Sequence, residues 1–239
     1  VYSCCTHWQE HASLSIDALL LAHHQGMSAG DIEYAMWCCY FACKQSLFCG
    51  RPLAAIEKDM RGYQALMKDQ GQESALASLS VWWQAVLNLQ GRSENPLELS
   101  GEAMNQRSVL EEAEQAQNTF LICIVNLNRL CLAYLLGDLK LSAEMAKASR
   151  NIQDVAPGVV EVIDQTFYDG LTSCAMAKST PGKRSWKSNA RKNMNRMKKW
   201  ARAAPENCGH KYLLMKAEYA AAMGVKGKAL ETYKKATVT

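Results

Sequence analysis

Residues 224–236, GVKGKALETYKKA, decide how this chain folds. A glycine opens the stretch, and Ala229, Tyr233 and Ala236 follow it at offsets of 5, 9 and 12. Those offsets return to one face of an α-helix. The glycine supplies the turn, and small residues on that face let a second helix cross closely. The same punctuation recurs upstream: Gly50, Gly91, Gly137, the Pro181-Gly182 pair and Gly224 lie 41, 46, 45 and 42 residues apart, counting to Gly182. Each interval has room for two helices. A period of that length predicts an all-α fold, an α-α superhelix of stacked antiparallel hairpins.

Working outward, strand signals are nearly absent, and no Asn-Gly or Asp-Gly turn sits between alternating runs. Helical spacing predicts about eleven helices, over 6–25, 31–48, 52–69, 72–90, 101–116, 119–136, 138–154, 158–178, 185–203, 207–223 and 226–237. The unit at 224–236 resembles the second helix of a tetratricopeptide repeat. After Gly50, Ala55 and Gly62 keep the small residues at offsets 5 and 12, with Asp59 in the aromatic place. After Gly137 those places are taken by Ser142 and Ser149. Tetratricopeptide units are ordinarily 34 residues long, so a degenerate, longer-helix version is expected. Its repeat-packing positions are Cys43, Gly50, Ala55, Gly137, Gly224, Ala229, Tyr233 and Ala236.

The composition agrees with a packed, ordered chain. Of 239 residues 49% are hydrophobic, 21% are charged and 5 are proline, which argues against disorder. The net charge of +4 is too small to imply a polyanionic partner for the chain as a whole. The N-terminal VYSCCTHWQEHA has neither a basic start nor an apolar run, so no secretory segment is read there. Reduced thiols in a cytoplasmic setting are expected. The most apolar stretch, FLICIVNLNRLCLAYLLG at 120–137, is broken by Asn126, Asn128 and Arg129 and reads as a buried helix rather than a membrane span. A first residue of Val and a helical pattern running to the last residues suggest a piece of a longer polypeptide, with 1–239 as a single repeat segment.

Ten cysteines raise the question of metal or redox chemistry. The densest group is Cys38, Cys39, Cys43 and Cys49, on a helix opened by Asp31 as an N-cap or first-turn acid. Cys39 and Cys43 share a face, Cys38 points about 100° away from Cys39, and Cys49 lies past the helix end. A tetrahedral zinc site draws four ligands together, usually from turns. Thiols that diverge around a helix axis read instead as small hydrophobes, and no metal or cofactor is expected.

Other polar residues are weighed the same way. His7-Trp8-Gln9-Glu10-His11 fits H-x-x-E-H, in which two His bind zinc and the Glu is a general base. The third ligand and the α/β domain that such enzymes carry are not visible, so the pair is expected on a solvent-facing edge of the first helix. His23-His24 would close that helix against its dipole, and His210 would make an interhelical contact. Arg129 would pair with Glu111, Glu112 or Glu114. Trp82-Trp83 falls at core spacing. No phosphate loop, nucleophile elbow or kinase catalytic loop is present.

Segment 183–202, KRSWKSNARKNMNRMKKWAR, carries nine Lys/Arg and no acid, leaving 18 basic against 23 acidic residues elsewhere. Its sparse stripe of Trp186, Ala190, Met194, Met197 and Trp200-Ala201 should face the core. Lys187, Arg191, Lys198 and Arg202 should then face solvent as an interaction surface. The segment reads as a merely solvated face or, as an interaction surface, one for an acidic protein surface or neighbouring domain. Nucleic-acid recognition would need a groove-reading motif or stacking platform, which the segment lacks.

Several stretches in order, HWQEH (7–11), GDIEYA (30–35), WWQAVLNLQG (82–91), SENP (93–96), GEAMNQ (101–106) and MKKWARAAPENCGHKYLLMKAEYAAAMG (197–224), resemble a known helical region. It follows the ATPase module in very large signalling proteins that also carry a serine/threonine-kinase-like domain, a GAF domain and a histidine kinase. The resemblance implies a non-catalytic helical scaffold that serves protein-protein or interdomain contact inside a signal-transduction ATPase/kinase. The kinase and ATP sites would lie in other domains. Three alternatives stay open: a stand-alone adaptor binding peptides, a zinc peptidase using 7–11, and a nucleic-acid binder using 183–202.

Overall fold

The structure, a computed structural model, describes residues 2–180 and 184–237. Among these lie eleven helices of ten residues or more. They are α1 (Leu14–Ala29), α2 (Ile32–Phe48), α3 (Leu53–Asp69), α4 (Glu73–Leu89), α5 (Gln106–Gln115), α6 (Thr119–Leu135), α7 (Leu139–Ala148), α9 (Val160–Ser179), α10 (Arg184–Ala203), α11 (Pro205–Ala222) and α12 (Lys226–Ala236). A 3-10 turn (Thr6–Trp8) precedes them, and a four-residue helix α8 (Ile152–Val155) follows α7. No strand occurs among the described residues.

The order of packing makes this an all-α superhelix. Short connections set neighbours antiparallel: α1 lies on α2, α3 on α4, α5 on α6, α7 on α9, α10 on α11 and α11 on α12. A second set of contacts, α2 with α4, α4 with α6, α6 with α9 and α9 with α11, lines these five helices into an inner row. Their sequences explain that position. α4 carries only Glu73 as a charge and α6 only Arg129. A helix that is apolar on most of its surface is buried on most of its surface, and Val81–Asn88 is indeed buried without a gap. The main core gathers on this row around Tyr40, Leu79, Trp83, Ile124 and Leu127.

The glycine punctuation is finer than the period alone implies. Gly50, Gly91, Gly137 and Gly224 all have positive φ, and so do Gly30 and Gly71, which end α1 and α3. In this left-handed conformation a glycine ends a helix without the cost a Cβ would bring. Restarts are marked as well: the side chains of Asp31, Asn105, Asn118 and Asp138 each accept a hydrogen bond from the backbone N–H three residues on. Pro181-Gly182, the remaining break, lies outside the described residues.

Five expectations are corrected. The helix over 6–25 is instead a 3-10 turn, a bend and then α1, because His11 Nδ1 accepts the Ser13 N–H and turns the chain. α1 runs past His23-His24 to Ala29. The reason is Gly26, where an added Cβ would sit 3.0 Å from Ala35 Cβ: this glycine serves the α1/α2 crossing and not a stop. His23 is accordingly no cap. It is buried, with Nδ1 3.1 Å from the Ala35 carbonyl. Residues 101–105 are not helical. They belong to a loop pinned by Gln84, whose Oε1 accepts the Ala103 N–H, and by Asn88, whose Nδ2 donates to the Glu98 carbonyl. The stretch 138–154 breaks between α7 and α8 at Ser149, whose hydroxyl donates back to the Met145 carbonyl.

The repeat-packing positions divide. Cys43 and Ala229 are buried, and Tyr233 and Ala236 are half-buried. Ala55 is exposed, and Gly62 has open space where its Cβ would stand, so the small residues after Gly50 pack against nothing. The reason is that α3 turns Ile56, Met60 and Met67 inward instead. Arg129 makes no ion pair among the described residues. Glu111 pairs with Arg107 on its own helix, while Glu112 and Glu114 face solvent.

Candidate functional site

Two places gather side chains that can bind, one on the outer layer and one at the centre. The outer one is α10. Its inward stripe is Ala190 and Met197, fully buried, with Trp186, Met194 and Trp200 half-buried. The outward side follows from that register: Lys187, Arg191, Lys198 and Arg202 are all exposed. Arg196, half-buried, lies with its guanidinium 4.6 Å from the Trp200 ring centre. Among the described residues, no cation of α10 forms an ion pair within 4.0 Å. Towards α7 the helix edges a cleft of about 660 Å³ whose cations are Lys147, Arg150 and Lys192. At its floor Arg150 makes two hydrogen bonds to Asp169, and Asn189 Nδ2 donates to the same carboxylate at 2.7 Å.

The central site was not singled out by the sequence. It exists because the inner row curls until its first helix faces its last two. Lys44 of α2, 2% exposed, donates to Asp164 Oδ2 of α9 at 2.7 Å, and its Nζ stands 4.1 Å from the centre of the Trp82 ring. Lys211 of α11 lies 3.8 Å from the other oxygen of Asp164, between the rings of Phe48 and Phe167 at 4.8 and 5.0 Å. Behind Lys44, Trp82 Nε1 donates to the Tyr40 hydroxyl, which donates at 2.9 Å to Glu161 Oε1. Burial works against the Lys44 ammonium, but Asp164 and Glu161 more than offset it and hold its pKa above the ordinary lysine value. Burial raises the pKa of Glu161 against the pull of Lys44. In front of this charged base opens a pocket of about 210 Å³, walled by Leu47, Trp82, Val86, Leu132, Leu135 and Tyr168. Cys131 borders it, and burial pushes that thiol's pKa well up, so it is a protonated wall and not a nucleophile.

Apart from Cys131, the histidines and cysteines line neither place. His7 is fully buried in the 3-10 turn, not on a solvent-facing edge, and among the described residues neither ring nitrogen makes a hydrogen bond of good geometry. Its neighbour Trp8 explains the position, since Trp8 Nε1 donates to the Gly158 carbonyl and draws the turn inward. His11 contacts Ser13, and His210 is exposed. Cys38 packs with Ile16 and Leu19 while Cys39 and Cys43 join the main core, so the thiols do diverge. No group of three or more His, Cys, Asp or Glu among the described residues is placed to hold a metal ion, and no helix among them is long and apolar enough to cross a membrane.

No family model, curated protein or solved structure matches this chain.

Proposed function

We propose that this chain is a non-catalytic helical-repeat scaffold that docks an acidic protein surface on the outward face of α10. The supporting observation is a set of cations without counter-ions: Lys187, Arg191, Lys198 and Arg202 are exposed on one helix and none has an ion pair among the described residues. Unopposed like charge on a rigid helix raises association rates with an acidic patch more than it adds affinity. In keeping with the resemblance to multidomain ATPase and kinase proteins, the partner is taken to be a neighbouring domain of the same polypeptide, whose state the superhelix would sense through small rotations between hairpins.

The test is to replace the four cations by Gln and measure binding to poly-glutamate and to the flanking segments of the coding sequence. Association with the acidic probe should slow and its salt dependence should flatten. Equal binding by the variant at low salt would remove α10 as the docking face. Tighter binding of the parent to a single-stranded oligonucleotide than to poly-glutamate would replace the protein partner with nucleic acid.

A further inference from the structure

We infer that the pocket at the centre of the superhelix is a binding site for a small organic monocarboxylate. The acid's carboxylate would meet Lys44 and Lys211, and its apolar body would lie against Trp82, Leu132 and Leu135.

Lys44 and Lys211 both have unspent donors. Each ammonium has three N–H donors and no acceptor. Among the described residues Lys44 makes one hydrogen bond, to Asp164, and Lys211 makes none, reaching Asp164 only at 3.8 Å. One carboxylate thus serves two ammoniums. The next acid, Glu161, lies behind the Trp82–Tyr40 hydrogen bond and does not line the pocket. The charged side chains that line the pocket itself are Lys44, Lys211 and Asp164. Glu161 balances Lys44 from behind, so what the pocket lacks is acceptors for the unspent N–H donors of Lys44 and Lys211, and a carboxylate between them at one end of an apolar cavity would supply these.

Size and wall chemistry narrow the ligand. An engineered cavity of about 150 Å³ in another protein holds benzene, so 210 Å³ has room for roughly eight to ten heavy atoms. A phosphate would fill a fraction of that volume and leave the apolar wall wet. A hydrocarbon would cover the wall and leave the lysine donors without acceptors. A carboxylate on an aryl or short alkyl body satisfies both ends. Because Lys44 stands on α2 and Lys211 on α11, the bound acid would join the first and last hairpins of the superhelix.

The experiment titrates purified chain with benzoate and hexanoate. Benzyl alcohol, hexanol and hexylamine serve as controls, read by calorimetry, thermal shift and tryptophan emission. The acids should bind saturably with Kd on the order of 1 mM or tighter, while the alcohols and the amine do not. Lys211→Gln should weaken the acids roughly 10–100-fold. Leu135→Trp, at an exposed wall position that tolerates bulk, should block them while leaving the fold intact by circular dichroism. The four-Gln variant of α10 should bind them as the parent does, which separates this site from the outer face. Binding of the alcohols as tight as the acids would make the cavity merely apolar and overturn the proposal. So would acid binding that survives both Lys211→Gln and Leu135→Trp, or no saturable binding of either acid.

Discussion

A helical glycine can be there for space or for no structural reason, and the neighbouring atoms tell which. At Gly26 a Cβ would lie 3.0 Å from Ala35 Cβ and 3.2 Å from the Asp31 carbonyl. Gly26→Val should therefore destabilise by about 1–3 kcal/mol through overpacking at the α1/α2 crossing. At Gly62, inside α3, nothing lies within 4 Å. Gly62→Ala should stabilise by roughly 0.5–1 kcal/mol, because only the helix propensity changes. Denaturant midpoints of the two variants check both signs. His7 gives a second residue-scale test. Burial lowers its pKa to about 4, opposed first by the Gly158 backbone, with Lys44 adding to the lowering and Asp164 opposing it, whereas an unfolded histidine titrates near 6.5. Between those values the unfolded chain binds the extra proton, so stability attached to neutral His7 is full above about pH 6.5 and drains away as pH falls towards 4. The loss is at most on the order of 3 kcal/mol. Carboxylates also titrate in that window, so the measurement is the difference between parent and His7→Phe melting temperatures from pH 7 to pH 4. That difference should shift steadily in favour of the variant as the solution is acidified.

At the scale of the element, α10 tests whether a register can be taken from side-chain type alone. The apolar stripe of Trp186, Met197 and Trp200 set the outward direction of four cations, and all four are exposed. Lys187 and Arg191, and again Lys198 and Arg202, are i, i+4 neighbours that repel. Replacing them by Gln should leave the melting temperature unchanged or slightly higher, by a few tenths of a kcal/mol per pair. A large loss would mean the cations are satisfied by groups outside α10. Most helices were legible in this way, because a 3.6-residue apolar period and left-handed glycines are local signals. The end of the loop before α5, residues 101–105, was not. Its helical-looking GEAMN is held open by Gln84 and Asn88, which reach it from α4. The central charged base was illegible for a related reason. Lys44 and Asp164 stand 120 residues apart, and only the curl of the superhelix joins them. The signal that could have raised suspicion is a single lysine inside the apolar α2 and the acids Glu161 and Asp164, i and i+3, inside an equally apolar stretch of α9.

At the scale of the whole molecule, one buried amide closes the superhelix. Asn207, in the first turn of α11, accepts the Ala12 N–H on Oδ1 at 3.0 Å and donates Nδ2 to the carbonyls of His7 and Glu10 at 2.8 and 2.7 Å. The residues joined are about 200 apart in sequence, and no helix pairing in the solenoid period would bring them together. Trp8 adds to the same seam by lying 5.3 Å from Trp200, ring centre to ring centre. Asn207→Ala would leave one buried N–H and two carbonyls without partners, each costing about 1–3 kcal/mol if it stayed buried. The segment before α1 has a cheaper course, which is to leave its place and let water satisfy those groups. The cost is then capped by what docking of residues 2–12 contributes. Helical content should be unchanged, amide exchange should speed up across 6–13, and Trp8 emission should move to longer wavelength. Lys211 sits one turn beyond Asn207 on the same face of α11, so the loosened helix start should also weaken carboxylate binding in the central pocket. Unaltered exchange protection over 6–13 in the variant would show that the tryptophan pair and the buried His7 hold the seam without the asparagine.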